Sequence, residues 1–203
     1  GSFEDMHVPP TLVSFAISTC RADDIIGNAF KRAGAKVGLL RPNYLENGLP
    51  EPNSLRALFD ELAKRIRAGE IVSAQAVGSR GVAEAVFKMG LGNRIGFRFS
   101  PRAANLFARL PGGFVVEYRE GAEAGNLLGQ TTELYEIALR GEIVASDELE
   151  EIYDGRLEGV FPTRASAPGK RPPKFVYGMQ EHPRSGVRAT RPRVLIPVFP
   201  GTN

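Results

Sequence analysis

Along "TLVSFAIST" (11–19), Leu12, Ser14, Ala16 and Ser18 alternate with Val13, Phe15 and Ile17. That period of two predicts a strand. "RADDIIGNAFKRAG" (21–34) predicts a short helix ending near Gly34 as a C-cap, and "KVGLL" (36–40) a second strand stopped by Pro42. After a turn-rich loop, Leu55, Leu58, Phe59, Leu62 and Ile66 fall on one stripe at helical spacing, with Arg56, Lys64, Arg65 and Arg67 off it. Asn53 or Ser54 is the expected cap of this helix and Gly69 its end. "EIVSAQAV" (70–77) reads as a third strand and "GSRG" (78–81) as a turn. "VAEAVFKMG" (82–90) reads as a helix with Val82, Ala85, Val86 and Met89 inward. A strand over 93–100, a helix over 101–110 opened by Pro101, and a strand over 112–120 follow. "NLLGQTTE" and "LYEIALRGEIVA" continue as strands, and 146–157 forms a last helix with Ser146 as cap.

Strands and helices alternate, yet several strands join through turns alone. This favours α+β with a mixed sheet over a doubly wound parallel sheet. The lead-in 1–10 ends in Pro9-Pro10, and its "GS" start reads as the remnant of a trimmed tag. The folded domain is expected over 11–160. A basic, Pro-rich linker follows over 161–190, and then a lone apolar run, "RPRVLIPVFPGTN" (191–203), that reads as the first strand of something further.

Composition narrows the classes. Hydrophobic residues at 42% and charged residues at 24% suit a globular domain, and no apolar run approaches a membrane span. There is no secretory pattern, and the lone Cys20 cannot make an internal disulfide, so a reducing cytoplasm is expected. The net charge of +3 invites a nucleic-acid reading, but it is unevenly placed. Residues 161–203 hold eight bases against Glu181 alone, a charge of +7, which leaves −4 on residues 1–160. The basic tail interleaves only Phe175 and Tyr177, so a solvated or partner-covered linker is preferred to nucleic-acid binding.

The best local candidate for chemistry is Gly78, Ser79, Arg80 and Gly81, where a strand turns into a helix. Free amides of a helix's first turn attract anions, glycines let a ligand approach the backbone, and Arg80 adds charge. Such turns are common, and this one is neither a Walker loop nor a dinucleotide fingerprint. Cys20 has no His suggested beside it and reads as a packed thiol. Glu84 and Lys88 form an i,i+4 pair that supports a helix surface. The acids Asp147, Glu148, Glu150, Glu151 and Asp154 suit a helix N-terminus better than a metal site. Gly112-Gly113 reads as a tight turn. No catalytic residue and no metal ligand is expected.

Three stretches taken in order carry a resemblance: "PPTLVSFAISTCRADDIIGNAFKRAGAKVGLLRP", "GVAEAVFKMGLGNRIGFRF" and "RPRVLIPVFPGTN". Over roughly 9–142 and 191–203 the chain resembles the large, glutaminase-fused phosphoribosylformylglycinamidine synthase of purine biosynthesis. The resemblance implies a fragment: the second aminoimidazole ribonucleotide synthetase-like C-terminal domain, with helices on one face of a mixed sheet, then the linker, then the first strand of the glutaminase domain. It implies a parent ligase that uses ATP, Mg²⁺ and glutamine to convert formylglycinamide ribonucleotide to its amidine. The fragment would scaffold the other synthetase domains and the glutaminase without turning over alone, and its uncovered surface would favour self-association. Relatives often carry Asp-x-Ser-Asp-Gly-Gly where this chain reads Ala76-Val77-Gly78-Ser79-Arg80-Gly81, so a metal contact is lost with Ala76. The alternative is a stand-alone phosphate- or nucleotide-binding module using the 78–81 turn.

Overall fold

The structure, a computed structural model, describes residues 2–3, 6–7, 9, 12–122, 124–163 and 178. All but Gly178 belong to one compact unit, Gly1–Thr163. The expected linker, from residue 164 onward, and the expected strand at 191–203 lie outside the described residues, Gly178 apart.

Within the lead-in, β1 (Ser2–Phe3) and β2 (Met6–His7) pair as a small antiparallel ribbon. The body is built from β3 (Lys36–Leu40), α1 (Pro52–Arg67), β4 (Ile71–Ala76), α2 (Gly81–Leu91), β5 (Gly96–Phe99), β6 (Phe114–Tyr118), β7 (Leu127–Thr132), β8 (Glu136–Leu139), β9 (Glu142–Ala145) and α3 (Ser146–Gly155). Its strands form a seven-stranded sheet in the order β4-β6-β3-β7-β5-β8-β9. All neighbours are antiparallel except β5 and β8, which run parallel with Phe97 opposite Ile137. The expected α+β class with a mixed sheet is therefore the observed one.

The helices do not share one face, contrary to expectation. Neighbouring residues on a strand point to opposite faces. Val115 packs with Val82, Val86 and Met89 of α2, whereas Val116 packs with Leu62 of α1. On α2, Val82, Ala85, Val86 and Met89 are all buried as predicted. Full burial of each larger side chain stabilises by about 1.5–3 kcal/mol. α1 covers the β4–β6 end of the other face, with Phe59 edge-on to Phe114 at 5.9 Å.

Three further expectations give way, each for a local reason. Residues 12–19 have the alternation of a strand but no partner strand among the described residues, and they show no regular structure. Residues 21–34 form only a 3₁₀ turn, Ala22–Asp24. The amides of Lys31 and Arg32, which a helix would use internally, instead donate to the Glu117 side chain at 2.7 and 3.3 Å. Residues 101–110 make turns, not a helix. Arg140 donates to the carbonyls of Pro101 (3.1 Å) and Ala103 (3.0 Å), and the Ala83 amide takes that of Leu106 (3.0 Å). Those carbonyls are thus withdrawn from any helical ladder.

The caps shift as well. The N-cap of α1 is Glu51, whose carboxyl accepts from Asn53 N (2.9 Å) and Ser54 N (2.6 Å), with Pro52 as first helical residue. Ser54 is not the cap, and its hydroxyl accepts from Asn43 N at 2.8 Å. Ala145 precedes α3 without a side-chain bond, and Ser146 is buried inside its first turn.

Candidate functional site

The four residues Gly78, Ser79, Arg80 and Gly81 come together as the tight turn between β4 and α2. Gly81 N donates to Gly78 O at 3.2 Å, and Gly81 has φ +78. A Cβ there would stand 2.4 Å from Leu106 O, so the glycine is required by both backbone angle and space. Ala76 ends β4 exposed and brings no carboxylate.

A carboxylate nevertheless occupies the turn. Glu84 Oε2 accepts from the Arg80 amide at 3.3 Å, and a Cβ on Gly78 would meet that oxygen at 2.8 Å. Its other oxygen accepts from Lys88 Nζ at 2.9 Å. The Lys88 bond holds the Glu84 carboxyl below the usual carboxylate range; burial opposes this and the Arg80 amide assists. The i,i+4 pair expected to be surface support thus also places an internal anion at the helix start. Ala83 N donates to Leu106 O, so the amides of Arg80, Gly81 and Ala83 are all in use. Ser79 and Arg80 remain exposed.

The remaining sequence candidates separate. Cys20 lies exposed at the end of the irregular segment 12–20, not packed as the sequence suggested. Asp147 and Glu150 are engaged by the Arg94 guanidinium, with the Glu150 contact at 2.9 Å. That guanidinium also lies over the Tyr135 ring at 4.4 Å. Gly112 has φ +76, and Gly113 N closes a turn onto Leu110 O at 2.9 Å.

Two features escaped the sequence reading. A cross-strand row runs Lys36, Gln130, Arg98, Ala138, Ile143 on the face away from α2. Lys36 and Arg98 are exposed and form no ion pair among the described residues. Strand alternation places both outward, but only register aligns them. The second is a cleft of about 570 Å³ between the end of α1 and the loop after β6, lined by Arg65, Glu70, Arg119 and Glu120 among others. Arg65 is bonded there to Glu70 at 2.8 Å and lies over Tyr118 at 4.8 Å. Charges of both signs in that cleft offset each other.

This topology is shared with solved structures from Thermotoga maritima. PurLQS aligns with 15% identity and a TM-score of 0.55, covering 78% of this chain and 32% of that one. The fold is that of PurL. Phosphoribosylformylglycinamidine synthase II from the same organism gives 15% identity and a TM-score of 0.54 over 75% of this chain and 31% of that one. PurL complexed with AMPPCP gives 14% and 0.53 over 80% and 32%. The chain thus spans about a third of the length of these PurL structures. No family model matches the sequence, and no curated protein matches it either. The resemblance expected from sequence is therefore met at the level of the PurL fold.

Proposed function

We propose that this chain is a noncatalytic, PurL-like domain of a cytoplasmic, ATP-, Mg²⁺- and glutamine-dependent ligase that makes formylglycinamidine ribonucleotide. It scaffolds the other synthetase domains and the glutaminase domain. The fold likeness supports the family of the reaction, since T. maritima PurL has been solved complexed with FGAR, AMPPCP and ADP. The observation that carries the scaffold role is Glu84, whose carboxyl takes the position at the 78–81 turn that a phosphate would need. An incoming phosphate would meet a like charge, and the Arg80, Gly81 and Ala83 amides are already in use.

The test is ATP-dependent conversion of formylglycinamide ribonucleotide with ammonia by the purified chain. The scaffold role predicts no product above the no-protein blank. Turnover that scales with protein concentration would overturn it.

A second reading keeps Gly78, Ser79, Arg80 and Gly81 as a phosphate or nucleotide contact. It is favoured by the exposed Arg80 side chain at the turn. On this reading Glu84→Gln tightens ADP binding by lifting the internal competitor, and Arg80→Ala weakens it. A chain whose nucleotide affinity responds to neither substitution does not use this turn.

A further inference from the structure

The two edges of the large sheet are treated differently. At β4 the chain covers itself: Ala74 N donates to Gly27 O at 3.2 Å, and Asn28 Nδ2 donates to Gln75 Oε1 at 2.9 Å. At β9 no strand among the described residues pairs on the outer side, and all four residues from Glu142 to Ala145 are exposed, Ile143 at 60%. Natural edges are guarded by charge, proline, a bulge or a cover. β9 carries one charge, at its first residue, and an apolar centre of Ile143 and Val144.

The same molecule holds a strand-like segment with no sheet partner among the described residues. Leu12, Val13, Phe15 and Ile17 are exposed at 95, 75, 83 and 88%. Four large apolar side chains within six residues make a patch that a monomer rarely presents to water. No charge interrupts residues 12–20, and none of them has regular structure. Residues 12–18 have the alternation that strand addition requires, with small or polar Ser14, Ala16 and Ser18 on the face away from Val13, Phe15 and Ile17.

We infer that residues 12–17 of one copy add to the β9 edge of a second copy, and that the exchange is reciprocal. The occupant is a second copy because donor strand and open edge are present in one chain and fit in length and apolar character. The same molecule is poorly able to satisfy itself. The segment is anchored at the β4 end through Gly27, and β9 is the far edge of seven strands. From Gly27, one place outside β4, to a strand added one place outside β9 is eight strand spacings, about 38 Å. The ten residue steps from Ile17 to Gly27 span at most about 36 Å fully extended, and the 3₁₀ turn at Ala22–Asp24 shortens them. A two-fold arrangement makes the contact twice and leaves neither edge nor strand open. This inference does not depend on the PurL-like reading of function.

The experiment is sedimentation equilibrium of the whole chain from low to high micromolar concentration, repeated for Phe15→Asp and Val144→Lys. A concentration-dependent dimer is expected, and each substitution should weaken it at least about tenfold, or about 1.4 kcal/mol. Both side chains are exposed in the single copy, so melting of the dilute variants should match the parent. In a Cys20→Ser background, Val13→Cys with Val144→Cys should form a disulfide-linked dimer under mild oxidation. A chain that stays monomeric throughout, or a dimer unmoved by Phe15→Asp, overturns the inference. The first of these leaves the segment to a different partner.

Discussion

Glu117 Oε2 accepts from the Lys31 amide at 2.7 Å, although the two residues are 86 apart in sequence. The same oxygen accepts from Ser73 Oγ at 2.9 Å, and the side chain is fully buried. One carboxyl group thereby ties the irregular segment before β3 to two strands of the sheet. Glu117→Gln replaces one acceptor oxygen with a donor facing an amide. Leaving a buried donor unsatisfied costs about 1–3 kcal/mol. Denaturant unfolding of Glu117→Gln should therefore show a loss in that range, with a larger one for Glu117→Ala. A variant within error of the parent would remove this tie from the account.

Gly81 and Gly48 separate backbone strain from crowding. Both have φ near +80, but a Cβ on Gly48 meets nothing within 4 Å, whereas one on Gly81 stands 2.4 Å from Leu106 O. Gly48→Ala should cost about 1 kcal/mol for the left-handed conformation alone. Gly81→Ala should cost distinctly more, since the 105–107 turn has to move. Equal melting temperatures for the two variants would contradict this packing.

The helix cap makes a prediction that sequence would have placed elsewhere. Glu51→Ala should destabilise by about 1 kcal/mol, the usual value of a lost N-cap, while Asn53→Ala should do little. Thermal melts of the two variants decide between the caps.

Alkali should unfold the protein through its tyrosines. Burial, with Glu150 adding to it, raises Tyr135 from 10.0 to about 12; burial also raises Tyr44 and Tyr118. A phenol raised in the folded state binds its proton more tightly there than in the unfolded chain. Its contribution is complete below about pH 10 and is lost as pH rises towards 12. Melting temperature should fall across that window, and tyrosinate absorbance of the folded protein should appear late. Tyrosines that titrate together near 10 without loss of stability would contradict the burial.

What the sequence made legible was local and periodic. The i,i+3,i+4 stripe of α2 appears where its pattern puts it, because burial on one face demands that period, and the short runs read as strands at 36–40, 70–77 and 112–120 appear as β3, β4 and β6. The segments misread are those whose backbone partners lie far away in the chain. Lys31 and Arg32 are claimed by Glu117, Pro101 and Ala103 by Arg140, and no residue order reveals those bonds. Residues 12–19 fail for the opposite reason: their pattern is that of a strand, but a strand needs a neighbour. At the site, the turn Gly78–Gly81 was legible from its glycines. That Glu84 reaches back over the turn depends on how the helix begins, which spacing alone leaves open.

The central claim is that the 78–81 turn is filled from within and that the chain works as a scaffold. Calorimetric titration of the chain with ATP and ADP, with and without Mg²⁺, tests it most directly. The account predicts no saturable heat and no shift in melting temperature. Saturable binding that weakens in Arg80→Ala would contradict it and make the turn a nucleotide site in its own right.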